Sequence, residues 1–311
     1  MAEKQEFYAI KKFLDSRSGP ERIEYVTPWI VEGDSTYIYG AVGSNPDVKS
    51  LGGMSFSEWH TEQTKSDAEF ISKFNPVAFM VCEPQINFGC CYPRLARPRT
   101  NDSRIQPPEN QRAKIHLEVQ LEVFSQSVKD ILQNIEPIPE HLTVFGHKIR
   151  NLLLLAATEV EAQLKGILKA NNYNFAVTSG GQERATTNDY VKLCDPLHLK
   201  EYQVQLTYTP ELEPRSPFRD WDPSSPTQSL RWYEAYNQVK HDREAQFQAA
   251  TLENALDAVI ACDILRQAQY YCDPYFEHVT SPTWHPSEYY TNPPSQDIWS
   301  HTDWTLECFP F

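Results

Sequence analysis

The run Trp232-Tyr233-Glu234-Ala235-Tyr236-Asn237-Gln238-Val239-Lys240-His241-Asp242-Arg243 gathers amide, imidazole, ammonium and guanidinium groups into one short segment. At about 100° per helical residue, Trp232, Tyr236 and Val239 share one face, and Glu234, Asn237 and His241 fall on roughly the opposite one. Aromatic bulk then anchors the helix while the polar groups point outward. An outward His one turn from an Asn, with Lys240 and Arg243 beside it, is a set that a phosphodiester site uses. Imidazole titrates near neutral pH and moves a proton, an amide orients it, and cations meet the phosphate charge. The plainer reading is a helix-surface pair that hydrogen-bonds a neighbouring segment.

A second candidate is the irregular stretch from 88 to 111, which holds Pro93, Pro98, Pro107 and Pro108 and, with Arg112 just beyond it, the arginines at 94, 97, 99 and 104. Guanidinium forks suit phosphate, so Arg94, Arg97 and Arg99 are candidate nucleic-acid contacts. The alternative is a solvated loop balanced by Asp102 and Glu109. Other chemistries fit poorly. His60-Thr61-Glu62 matches the first half of a zinc-deaminase signature, but only Gly89-Cys90-Cys91 follows where Pro-Cys-x-x-Cys is needed. Cys272, His278, His285 and His301 have no metal-ligand spacing, and Ser179-Gly180-Gly181-Gln182 lacks the Lys and Ser/Thr of a phosphate loop. No metal and no cofactor is expected.

The elements that position these groups need a core, and 311 residues with 40% hydrophobic and 12% aromatic content supply one. The most apolar run, Leu152 to Ala157, is flanked by Arg150 and Glu159, and Met1 to Glu6 is not followed by an apolar stretch. The expectation is no membrane span, no export signal and a cytoplasmic protein. Seven cysteines without repeating spacing point to reduced thiols. A net charge of −14 opposes general attraction to nucleic acid, so any such contact needs a local basic patch.

Short β-type runs at 23–26, 36–39 and 76–82, separated by Gly, Pro, Ser and Asp, make the first hundred or so residues β-containing. Residues 115–135 alternate like a strand through Ile115, Leu117, Val119, Leu121 and Val123, and also repeat like a helix through Leu117, Leu121, Phe124, Val128, Ile131 and Ile135; length favours the helix. A long helix is predicted over 144–169, with Glu161, Lys165 and Lys169 on its outer face, and Leu154 and Leu155 lie off its main stripe. A mixed segment follows to about 222, containing strand-like residues 202–208. Ser224-Ser225-Pro226-Thr227 is then expected to cap a helix over 228–245. A last helix over 248–270 is apolar almost all round, which places it at the centre of a bundle, and its Asp257 and Asp263 require partners if buried.

Tyr236-Asn237-Gln238-Val239-Lys240-His241, preceded by the long helix with Arg150-Asn151-Leu152-Leu153-Leu154-Leu155-Ala156-Ala157-Thr158-Glu159-Val160-Glu161, resembles the HEPN superfamily of small helical bundles. The resemblance spans 115–272. Members are often metal-independent ribonucleases of toxin or antiviral systems, with a motif of Arg, a polar residue that is commonly Asn, three spacers and His. Two partner chains usually bring their motifs together. Carried over, the polar position is Asn237, the His is His241, and Tyr236 stands where Arg is expected. The resemblance then implies that Arg243 or Lys240 meets the phosphate charge in its place. A degenerate motif is common among members that bind or scaffold rather than cut.

The resulting expectation is an α+β chain: a β-containing region over 1–112, a HEPN-like bundle over 113–272 with an irregular insert near 172–225, and an aromatic, proline-rich wrap over 273–311. Its implied function is RNA binding or metal-independent RNA cleavage by Asn237, His241, Lys240 and Arg243, with Arg94, Arg97 and Arg99 on the nucleic acid, in a homodimer. The alternative is a non-catalytic interaction or ligand-sensing module whose N-terminal region takes a protein partner.

Overall fold

Alternating β-branched and aromatic residues near the N-terminus assemble into an antiparallel sheet, seen in a computed structural model that describes residues 5–14, 22–38, 48–66, 76–82, 90–95, 108–206, 211–270, 280–284, 305–306 and 308–311. The chain is α+β. Strands β1 (Gln5–Leu14), β2 (Arg22–Glu32), β3 (Ser35–Ile38), β4 (Lys49–Ser50) and β5 (Pro76–Cys82) lie in the order β4-β3-β2-β1-β5. β1 pairs with β2 in a register that sets Phe7 opposite Ile30. The β2–β3 turn uses Gly33 at φ 58°, a left-handed value that glycine adopts without strain. Asp34 beside it accepts from the Gly53 N–H and the Ser50 hydroxyl, each at 2.7 Å, and these bonds hold its carboxyl below the ordinary range. Helix α1 (Phe56–Ser66) opens on a capping box in which Ser55 and Glu58 exchange bonds. Its Phe56 and Trp59 pack with Val31 and Leu51, and Trp29 and Met54 cover that cluster.

The described residues divide into two compact units, one with β1–β5 and α1 and one with the helices. In the helical unit, α2 (Pro108–Leu132) settles the conflict of periods. Leu117, Leu121, Phe124, Val128 and Ile131 are buried, while Ile115, Val119 and Val123 are exposed at 59%, 62% and 50%. The apparent alternation is therefore two helical stripes on opposite sides, one facing the core and one facing water. Helix α3 (His147–Ala170) buries Ile149, Leu153, Ala156, Val160, Leu164 and Ile167, and also Leu152, Ala157 and Leu168. Helix α4 (Arg231–His241) lies against it, and α5 (Leu252–Tyr270) touches α2, α3 and α4.

α5 buries nearly every residue it has, including Asp263, Arg266, Gln267 and Gln269. Its first turn is fixed by the stretch ahead of α3, since the Leu252 and Glu253 N–H groups donate to the Val144 and Leu142 carbonyls at 2.7 and 2.9 Å. Asp263 accepts from Arg266 and Gln267 one turn further on. Asp257 takes a two-point ion pair from Arg215, whose Nη2 also reaches Glu253 at 2.9 Å. Burial works against the Arg215 charge, but the pairing with Asp257 and Glu253 outweighs it and pushes the group above its usual value. Both aspartates of the predicted central helix thus have the partners that burial demands.

The insert between α3 and α4 contains a small hairpin, Ala176–Val177 with Glu183–Arg184, and strand Gln203–Leu206. That strand pairs antiparallel with Thr280–Trp284, so part of the predicted C-terminal wrap is a strand of the helical unit. Residues 308–311 also join this unit, with Phe309 edge-on to Tyr92 and Phe311 edge-on to Tyr173. Asn171, at the C-cap of α3, ties three stretches together: its amide donates to the Pro93 and Ile167 carbonyls and its oxygen accepts from the Phe309 N–H. No helix among the described residues is long and apolar enough to cross a membrane.

Arg215→Leu strands Asp257 without its cation, and a chemical denaturation curve is expected to show a loss of about 3 kcal/mol. Glu253 is nearly half exposed, so Glu253→Gln is expected to cost less than about 1 kcal/mol. Equal losses from the two would contradict the pairing described here.

Candidate functional site

α4 sits as its periodicity dictates. Trp232, Tyr236 and Val239 are buried, at 1%, 2% and 0% exposure, and Tyr233 and Ala235 join them. The Trp232 indole N–H donates to the Pro217 carbonyl at 3.1 Å, so the proline-rich insert supplies an acceptor that the ring needs. The helix begins later than predicted. Leu230, not a residue of 224–227, is its N-cap, and no side chain caps it.

It also ends earlier. Asp242 leaves helical geometry at φ −138°, ψ 78°, and its carboxylate accepts from the Ala245 N–H to start a one-turn helix, Arg243–Gln246. Arg243 is therefore not on the helix of Asn237 and His241, and helical phase does not align the three. The physical reason is a capping residue, Asp, that starts a new turn more favourably than it continues the old one.

Asn237 is half-buried and His241 exposed on the outer side of α4, and among the described residues neither side chain has a hydrogen-bond partner. Lys240 differs. Its ammonium donates to the Tyr236 hydroxyl at 2.8 Å, lies 4.8 Å from the centroid of that ring and sits 4.0 Å from Glu161. The bond from Lys240 to Tyr236, aided by Glu161 and only partly opposed by burial, raises the lysine above its ordinary value and keeps it charged.

Tyr236, at the position where the resemblance expects Arg, turns inward. Its hydroxyl donates to Glu161 Oε2 at 3.2 Å, and the Tyr233 hydroxyl donates to Oε1 at 2.5 Å. Burial and the Glu161 carboxylate push the Tyr233 phenol up, and burial together with the same carboxylate pushes Tyr190 up to about 12. Glu161 was expected on the outer face of α3 with Lys165 and Lys169. It instead receives two tyrosines from α4, and the spacing of Tyr233 and Tyr236, three residues apart on one helix, is the sequence signal for that receptor.

The arginine segment divides. Arg94 is only 6% exposed and occupies left-handed backbone at φ 62°. Its Nε donates to Gln269 and its Nη2 to Gln163, each at 2.7 Å, and Gln163 in turn donates to Glu159. The guanidinium lies directly on α3 at Gly166, where an added Cβ would collide with it. Arg94 is thus a core arginine clamping α3 to α5, and its candidacy as a nucleic-acid contact is corrected on that ground. Arg97 and Arg99 lie outside the described residues, as do Cys272, His278, His285 and His301. His60 is buried and stacked on Phe56. Cys194, Cys262 and Cys308 are unbridged thiols, and burial pushes Cys194 up to about 12.

One cluster near α4 had no place in the sequence reading. The turn Phe247–Ala249 packs back on α4, and the Phe247 ring lies 5.8 Å from Phe145, edge-on, and 4.9 Å from His147. Phe145 is 49% exposed. No protein-family model, curated protein or solved structure matches the chain.

Gly166→Ala normally strengthens a helix by up to about 1 kcal/mol; here it is expected to lower the melting midpoint, because the new methyl displaces Arg94. In an Arg94→Ala background the same change is expected to be neutral or stabilising. The same loss in both backgrounds would refute the clamp.

Proposed function

We propose that the helical unit is a HEPN-like bundle that binds RNA along the outer face of α4, in a toxin or antiviral defence setting. The observation that carries this reading is that Asn237 and His241, one turn apart, make no side-chain hydrogen bond in the fold among the described residues. They are held on a helix whose opposite face is fully packed. In cleavage His241 would transfer the proton and Asn237 would orient it or the phosphate. Arg243, exposed just past the helix end, would be the cation able to move toward negative charge, because Lys240 is already bonded to Tyr236. A cytoplasmic location accords with this reading.

A second reading is favoured by a different observation, the inward Tyr236. The group at the arginine position is spent on Glu161, which suits a non-catalytic interaction or ligand-sensing module whose N-terminal region takes a protein partner. Purified protein incubated with total RNA in chelator separates the two. Metal-independent cleavage is expected, falling roughly 10²- to 10⁴-fold in His241→Ala with the melting midpoint nearly unchanged. Retention of RNA without cleavage removes the proton-transfer role and leaves binding; absence of both leaves the interaction module.

The reading also carries a homodimer, since the related nucleases build their site across a two-fold axis. Leu155 on α3 is 57% exposed, an apolar residue left largely open to solvent. Light scattering at about 10⁻⁵ M is expected to give twice the chain mass, and a strict monomer would exclude a composite site.

A further inference from the structure

We infer that Phe145, His147 and Phe247 form a stacking platform for the bases of single-stranded RNA, next to the α4 C-terminus. The inference rests on the RNA reading above and gives it a substrate class: unpaired, not double-stranded. A phenylalanine half exposed beside a second ring and an imidazole is a poor use of apolar surface unless something flat covers it. The rings are also held in place. Phe145 is bridged to Thr251 through the backbone, and Phe247 belongs to a turn packed on α4. A rigid aromatic face loses little entropy when a base stacks on it.

The surroundings also offer cations to an anionic occupant. α3 starts at His147, Lys148 and Arg150, with no acidic residue in its first turn and Gly146 as an N-cap that offers no side chain. Basic residues at a helix N-terminus oppose the helix dipole, and acidic residues would be the stabilising choice. This end of the helix therefore concentrates positive charge where local stability asks for negative. Lys148 and His147 are exposed there, and Arg243 and His241 are exposed on the segment that leads into the Phe247 turn. Asp242 and Glu244 are exposed on that segment too, so the field is mixed and the rings must supply much of the recognition. Ring faces for bases, with cations for the intervening phosphates, is the way proteins hold single strands without reading sequence.

Fluorescence anisotropy with a labelled oligouridylate of about 12 nucleotides tests this. Phe145→Ala is expected to weaken binding roughly 5- to 150-fold, with an unchanged melting midpoint because the ring is half exposed, and Phe145→Trp is expected to restore it. A duplex of the same length is expected to bind less well, since its bases are already stacked. Lys148→Ala is expected to reduce the salt dependence by about one phosphate contact. If wild type and Phe145→Ala bind the single strand equally, the platform is overturned and the RNA reading stands. If wild type binds neither single strand nor duplex, both fall. Equal affinity for strand and duplex also overturns the stacking role.

Discussion

A helix that is apolar on every side cannot rest on a surface, and α5 is such a helix. It requires α2, α3 and α4 around it, and the polar groups it carries need partners drawn from wherever the chain can bring them. Asp257 is met by Arg215 of the insert, Asp263 by Arg266 and Gln267 of α5 itself, and Gln269 by Arg94. The irregular stretches at 92–95 and 211–230 are consequently parts of the core. Their prolines leave carbonyls that do not enter helices or ladders, and these accept from Asn171, Trp221 and Trp232.

The same demand fixes the candidate site. Once Trp232 and Val239 are buried, α4 can rotate no further, and Tyr233 and Tyr236 are carried to the one carboxylate on α3 within reach, Glu161. Lys240 then satisfies the Tyr236 oxygen from the solvent side. Asn237 and His241 remain on the outer side, with Arg231 and Gln238 exposed on the same helix. Their freedom from internal bonds is a by-product of a network that fastens every other polar group on the inner half of the helix, and it leaves them preorganised in direction though not engaged.

Helices were legible because periodicity persists over long segments. The helical period prevails in this segment because the strand pattern rests on five alternating residues between Ile115 and Val123, while the helical stripe continues to Ile131; the helix then ends at Leu132, short of Ile135. The bundle's central helix was legible from its lack of a polar face. Arg94 was not, because its burial depends on Gly166 leaving room on a helix remote in sequence, and a proline-flanked arginine reads locally as solvated. The break at Asp242 had a local signal that helix length concealed: Asp followed by Arg-Glu-Ala is an N-cap and a first turn. The position of Glu161 is not legible from its own helix, because its partners Tyr233 and Tyr236 come from another one.

The charge of the whole chain constrains what kind of nucleic-acid contact is physically reasonable. At −14 the protein repels a polyanion at distances where individual side chains are not distinguished. At physiological ionic strength that repulsion fades beyond about 8 Å, so a few cations can act only on phosphates already close to them. With Arg94 withdrawn into the core, the exposed cations described around α4 and the start of α3 are few and interleaved with Asp242 and Glu244. The described cations alone then give a phosphate field too weak to hold RNA, and the proposed RNA binding would draw on short-range groups with defined direction. Among the described residues around α4, those groups are the Asn237 amide, the His241 imidazole and the rings of Phe145 and Phe247.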